Sequence, residues 1–111
     1  MIDGGVIAAY LAVAVTRGEQ RLLGRVVDTA LDRLFDSVAR RLGPRRAADL
    51  ARNPYDSAIL AEVAGAIDAA ARRDAGFARE LAALLAQLES HGGRHLVDQI
   101  RAQTTPESTR S

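Results

Sequence analysis

Val6-Ile7-Ala8-Ala9-Tyr10-Leu11-Ala12-Val13-Ala14-Val15 is an uncharged run of ten residues, and Thr16-Arg17-Gly18-Glu19 follows it directly. Ala and Leu favour a helix, no Pro interrupts the run, and a helix built on it has no polar face. The pattern continues beyond Glu19 in a different form. Leu22, Leu23, Val26, Val27, Ala30, Leu31, Leu34, Phe35, Val38 and Leu42 define one wide apolar face, with Arg25, Asp28, Asp32, Arg33, Asp36 and Arg40 on the other side. Asp36 and Arg40 have the spacing of an i,i+4 ion pair. The two halves read together as one long helix over 5–42. A break competes with this reading at 16–18, where Thr16 and Glu19 match a capping box and Gly18 weakens the helix by roughly 1 kcal/mol relative to Ala. The lack of Pro, and a seam through Leu11, Val15, Gly18 and Leu22, favour continuity.

Punctuation is abundant after residue 42. Gly43 ends the first helix, and Pro44 opens a short one over 44–52. Asn53-Pro54 closes that helix, because the residue before Pro avoids the α region. Asp56 or Ser57 then caps a helix over 57–73 that carries Leu60, Val63, Ala64, Ile67 and Ala71, with Asp68 and Arg72 spaced as a pair. Asp74 caps the next, over 75–90, whose Phe77, Leu81, Leu84, Leu85 and Leu88 recur at helical spacing. Gly92-Gly93 stops it; His95 to Arg101 reads as one weak turn, and 103–111 as a disordered tail. No alternation of strand type appears. The expected fold is all-α, one helical domain over 3–102: the long N-terminal helix packed with a short helix and an antiparallel pair, four helices in all.

Composition narrows the function classes. Apolar residues make up 48% of the chain and charged residues 26%, with a net charge of +1 that steers no polyanion. All fifteen basic residues are Arg, scattered along the chain, which a GC-rich genome explains more economically than Arg-specific recognition. The absence of Cys excludes disulfides, thiol catalysis and thiolate zinc sites. No basic n-region precedes the apolar run, and ten residues are half of the about twenty that a membrane helix needs. A cytoplasmic protein is the expectation.

Catalytic and metal constellations are not found. His91, His95 and Asp98 have ligand spacing, but Gly92-Gly93 interrupts the helix they require. The serines lie in no nucleophile-elbow context, the carboxylates fall on polar faces or at caps, and the Gly pairs are not phosphate loops. The chain is expected to be no enzyme and to carry no cofactor. Arg40, Arg41, Arg45, Arg46 and Arg52 gather around the Gly43-Pro44 corner, an anion or nucleic-acid patch in outline. The helix that would follow it into a groove begins Asp56-Ser57-Ala58 and carries Glu62, which repels phosphate. Nucleic acid is therefore disfavoured.

Length converts this pattern into a statement about partners. A helix over 5–42 is roughly 55 Å long at 1.5 Å per residue, whereas a domain of this size has a radius of gyration of about 13 Å. The end carrying Val6, Ile7, Tyr10, Leu11, Val13 and Val15 is then left uncovered, and such a stretch in water is an aggregation liability. Its simplest shelter is a protein partner, above all a second copy in a twofold dimer. Membrane attachment through the same run is less favoured. The expected function is a non-enzymatic interaction module, a homodimerising adaptor or scaffold that associates through this first helix; the alternative is a nucleic-acid- or membrane-associated regulatory factor using the Arg corner.

A long apolar first helix, an Arg-rich corner, a short helix ending Asn53-Pro54, and the stretch Asp74-Ala75-Gly76-Phe77-Ala78-Arg79-Glu80-Leu81 together resemble small all-α modules of GC-rich bacteria. In those modules the last stretch follows an Asp-Pro-x-Leu-x-x-Glu-Leu pattern; this chain has Ala75 in place of Pro. The resemblance covers about residues 5–90. It implies a bacterial adaptor associated with a separate effector, and it assigns no site residues.

Overall fold

A computed structural model describes residues 3–17 and 24–103. They form six helices: α1 Gly4–Arg17, α2 Arg25–Leu42, α3 Pro44–Arg52, α4 Ser57–Arg73, α5 Ala75–Ser90 and α6 Gly93–Gln103. The fold is an all-α, multi-helix domain with a radius of gyration of 13.1 Å and a longest extent of 40 Å. The tail expected over 103–111 lies outside the described residues apart from the last helical position, Gln103.

The expected helix over 5–42 is two helices, and the reason is dimensional. A rod of roughly 55 Å does not fit within 40 Å, whereas α1 and α2 laid against each other do. The stretch 18–23 between them, with Glu19 of the expected capping box, is outside the described residues. Thr16 is not an N-cap: its hydroxyl donates to the Val13 carbonyl at 3.2 Å inside the last turn of α1.

Separated in this way, α1 becomes the axis of the fold. It packs against α2, α3, α4 and α6, while α5 closes the outside against α2, α4 and α6. Every residue from Val6 to Val13 is buried. The uncovered run expected at the N-terminus is therefore fully sheltered within one subunit. Val6, Ile7, Tyr10, Leu11 and Val13 are core residues and Val15 is half-buried against that core, so they do not form a partner surface. This corrects the argument that association is needed to hide them.

Local chemistry seats α1 at both ends. The Asp3 carboxylate accepts from the backbone N–H of Gly5 at 2.9 Å and of Val6 at 3.3 Å, as an N-cap does. Gly4 donates its N–H to Asp68 Oδ1 on α4 at 3.1 Å. A Cβ at Gly4 would run into the Ala64 carbonyl oxygen, so only glycine lets the two helices approach so closely. At the other end Arg17, 7% exposed, reaches α2 and pairs with Asp28 at 2.8 Å and Asp32 at 2.6 Å. Asp28 was expected on a solvated face and is buried, whereas Val26, expected in the core, is 37% exposed.

The helices α3, α4 and α5 span the ranges that the punctuation marks. Gly43 adopts φ 91° and ψ 164°, a conformation open essentially to glycine alone, between α2 and Pro44. Asp56 accepts from Ala58 and Ile59, and Asp74 from Phe77. The weak turn expected after Gly93 is instead a full helix, α6. Its Val97 and Ile100 are buried and it packs against α1 and α5. The expected i,i+4 ion pairs do not form: Asp36 and Arg40 do not meet, and Asp68 is turned toward Gly4 rather than Arg72.

The Arg17–Asp28 pair couples the axis to its first neighbour, and its loss strands a buried charge. Arg17→Ala is expected to lower unfolding stability by about 3 kcal/mol or more, and Arg17→Met combined with Asp28→Leu to recover most of it. Urea denaturation measures both; an unchanged midpoint for Arg17→Ala would remove the coupling role.

Candidate functional surfaces

The protein's perturbed titratable groups already have structural duties. Tyr10 is fully buried and its hydroxyl has no protein partner. Burial, then the nearby Glu89, pushes its pKa above the ordinary value. Burial acts against the Arg17 charge, but the hydrogen bonds it donates to Asp32 and Asp28 outweigh it and hold the guanidinium above its usual range. The Phe77 N–H, and then Arg41, hold the Asp74 carboxyl below the usual carboxylate range. Arg17 borders a recess together with Asp32 and Asp36, but its guanidinium is already paired with Asp28 and Asp32. The displaced titrations of these three groups arise from burial, ion pairing and capping.

His91 and His95 are exposed at the α5–α6 turn, where His95 Nε2 lies 3.3 Å from Gln99 Nε2. Among the described residues, no three His, Asp or Glu side chains come together as a metal-binding group. No helix among them is long and apolar enough to cross a membrane.

Of the five arginines around Gly43-Pro44, three are committed to acids. Arg41 pairs with Asp74 at 2.6 Å, and its guanidinium lies 4.6 Å from the Phe77 ring centroid. Arg46 faces Glu62 at 3.7 Å and Arg52 pairs with Asp49 at 2.9 Å. Arg40 and Arg45 make no ion pair among the described residues. Two uncommitted cations, with acids on the adjoining helices, are a poor match to the repeating charge of a nucleic-acid backbone.

A different surface emerges from the helix pair α4–α5. A groove of about 670 Å³ runs between them. Its floor is Ala71, Ala78, Ala82, Leu85 and Ala86, and its rim carries Asp68, Arg72, Arg79 and Glu89. The floor is narrow because alanine leaves so little side chain above the backbone. The exposed positions of α5 include Ala82, Ala83 and Ala86 in addition to its charges, so this outer face is apolar without being bulky. The reading from sequence missed this surface. Ala82 and Ala86 lie off the Phe77–Leu88 core stripe, and with no neighbour to cover them, alanines give only a faint hydrophobic signal. Smaller recesses among the described residues include one of about 390 Å³ beside Ala9, Leu60 and Ile100 and one of about 440 Å³ beside Arg17 and Phe35.

Two outcomes follow. The raised Tyr10 pKa means that the unfolded chain releases this proton first, so stability falls as pH rises through the ordinary tyrosine value and beyond. Urea midpoints measured at about pH 8 and about pH 11 should differ by less in Tyr10→Phe than in the parent chain. The committed Arg corner predicts elution from heparin at or below about 0.15 M salt; retention far above that, lost in Arg45→Glu with Arg46→Glu, would restore the polyanion reading. No protein-family model, curated protein or solved structure matches the chain.

Proposed function

We propose that the protein is a non-enzymatic protein–protein association module whose docking surface is the α4–α5 groove. The observation that carries this reading is the groove's composition: an alanine floor two helices wide, with charges confined to the rim. Small-molecule sites converge a few polar groups on an apolar pocket, and none converge here. Catalysis needs a nucleophile, acid or base within hydrogen-bond reach of a bound group, and the rim residues are spread along the groove instead. A shallow apolar trough with a charged border is the shape that receives a helix, the apolar side of the visitor lying on the alanines. The reading keeps the association expected from the sequence and moves it from α1, which the fold consumes, to α4–α5. An adaptor role of the kind the sequence resemblance implies is compatible with it.

Selection from a displayed library of helical peptides tests the groove as a receptor. Ligands are expected whose binding is abolished by Ala82→Arg and unaffected by Arg45→Glu with Arg46→Glu. A selection that returns no ligands, or only ligands indifferent to Ala82→Arg, overturns the reading.

A further inference from the structure

We infer that the occupant of the α4–α5 groove is a second copy of this chain, joined through an antiparallel twofold contact of α5 with α5. This inference rests on the reading of that groove as a docking surface. It is argued from the order of charge along α5.

Four residues of the groove, Arg79, Ala82, Ala86 and Glu89, follow one another at intervals of three, four and three. That spacing is the a/d seam of paired helices, so the four share one stripe. The spacing is also symmetric about position 84. An antiparallel twofold through that point places Ala82 opposite the partner's Ala86, and Arg79 opposite the partner's Glu89. The stripe is thus symmetric in position and opposite in charge, as a self-complementary surface must be when a twofold axis maps it onto itself. A parallel arrangement would set Arg79 against its own copy.

The second helix continues the pattern. Asp74 alone separates α4 from α5, so Arg72 lies at the same end of the groove as Arg79. Glu89 lies at the far end, about 15 Å from Arg79 along the helix. Asp68, six residues before Asp74 where Arg79 is five after it, borders the same end as Arg72 and Arg79 and accepts from the Gly4 N–H. That end therefore carries two cations against one engaged acid, and the far end carries Glu89. Arg72 and Arg79 make no ion pair among the described residues. Among the described residues Glu89 pairs with Arg94 at 3.5 Å, with both side chains about half exposed, a contact weak enough to exchange, and it lies near the Tyr10 hydroxyl. Alanine at both central positions permits an interaxial distance near the short end of the range, about 8 Å. A net charge of +1 leaves little repulsion between two copies.

Sedimentation equilibrium of the full chain, up to about 500 µM because an interface this small associates weakly, is expected to show a monomer–dimer equilibrium. Ala82→Arg, an exposed substitution, is expected to leave the chain monomeric with an unchanged melting temperature. Arg79→Glu should raise the dimer dissociation constant about tenfold or more, and adding Glu89→Arg should restore it to within about threefold, because the swap re-creates the opposed charges. A chain that stays monomeric throughout overturns the inference, as does a dimer insensitive to Ala82→Arg. A charge swap without rescue overturns the antiparallel register. Groove-directed peptides that still bind a strictly monomeric chain would leave the docking reading standing with a different partner; loss of both would remove the two together.

Discussion

A helix with no polar face has to be surrounded, and that constraint organises the molecule. From Val6 to Val13 each side chain of α1 points into protein. Full burial of a Val, Ile or Leu side chain contributes roughly 1.5–3 kcal/mol, and this is gained around the whole circumference of α1 only if neighbours stand on every side. Each neighbour therefore needs only a narrow stripe: Leu31 and Leu34 on α2, Val63 and Ile67 on α4, Val97 and Ile100 on α6. The outer helices remain polar over most of their surface, so a chain of average hydrophobicity conceals an entirely apolar axis.

The same constraint explains why charge is buried where it is. At its C-terminal end α1 must pass to α2, and Arg17 is the first charged side chain it meets. Arg17 lies at the negative pole of the α1 dipole, and Asp28 and Asp32, one turn apart on α2, supply its counter-charges. Such a pair adds little net stability over an apolar replacement, since desolvation offsets most of the attraction. Its effect is selective: any other register of α2 along α1 leaves Arg17 or Asp28 buried without a partner. Gly4 acts similarly at the opposite end, where close approach to Ala64 and the bond to Asp68 fix α4.

What the sequence made legible and what it hid divide along the range of the interactions. The bounds of α3, α4 and α5 rest on caps and breakers within four residues of each end, so Gly43-Pro44, Asn53-Pro54, Asp56 and Asp74 suffice to place them. The all-α class follows for the same reason. The separation of α1 from α2 has local signals, Gly18 in the sequence and Gly24, which adopts φ 102° directly before α2. The continuous apolar seam outweighs them when the sequence alone is read, and the size of the finished domain is a global property that this seam does not carry. Asp28 looked solvated because its partner lies eleven residues away and across a helix interface. The helix α6 looked too weak to persist because its stability comes from Val97 and Ile100 meeting α1, not from its own propensities. The run of arginines was legible, as was the local i,i+3 pair of Arg52 with Asp49, but the pairing of Arg41 with Asp74 and of Arg46 with Glu62 is a tertiary fact. The candidate interface was misplaced by the same logic: the most apolar segment of a chain marks its core when enough helices surround it.

Alanine links the two halves of this account. In α1, Ala8, Ala9 and Ala12 are buried and let the surrounding helices come close. In α5, Ala82 and Ala86 offer the same thin profile to solvent. A helix face of small apolar residues is costly to neither the folded monomer nor a complex, because little apolar area is exposed when it is free and little is gained when it is covered. Affinity from such a face depends on how many backbone and rim contacts close approach permits, and specificity on the sign and order of the bordering charges. A surface of this kind suits association that is reversible and selective, and in this chain the ordered border is the run from Arg79 to Glu89.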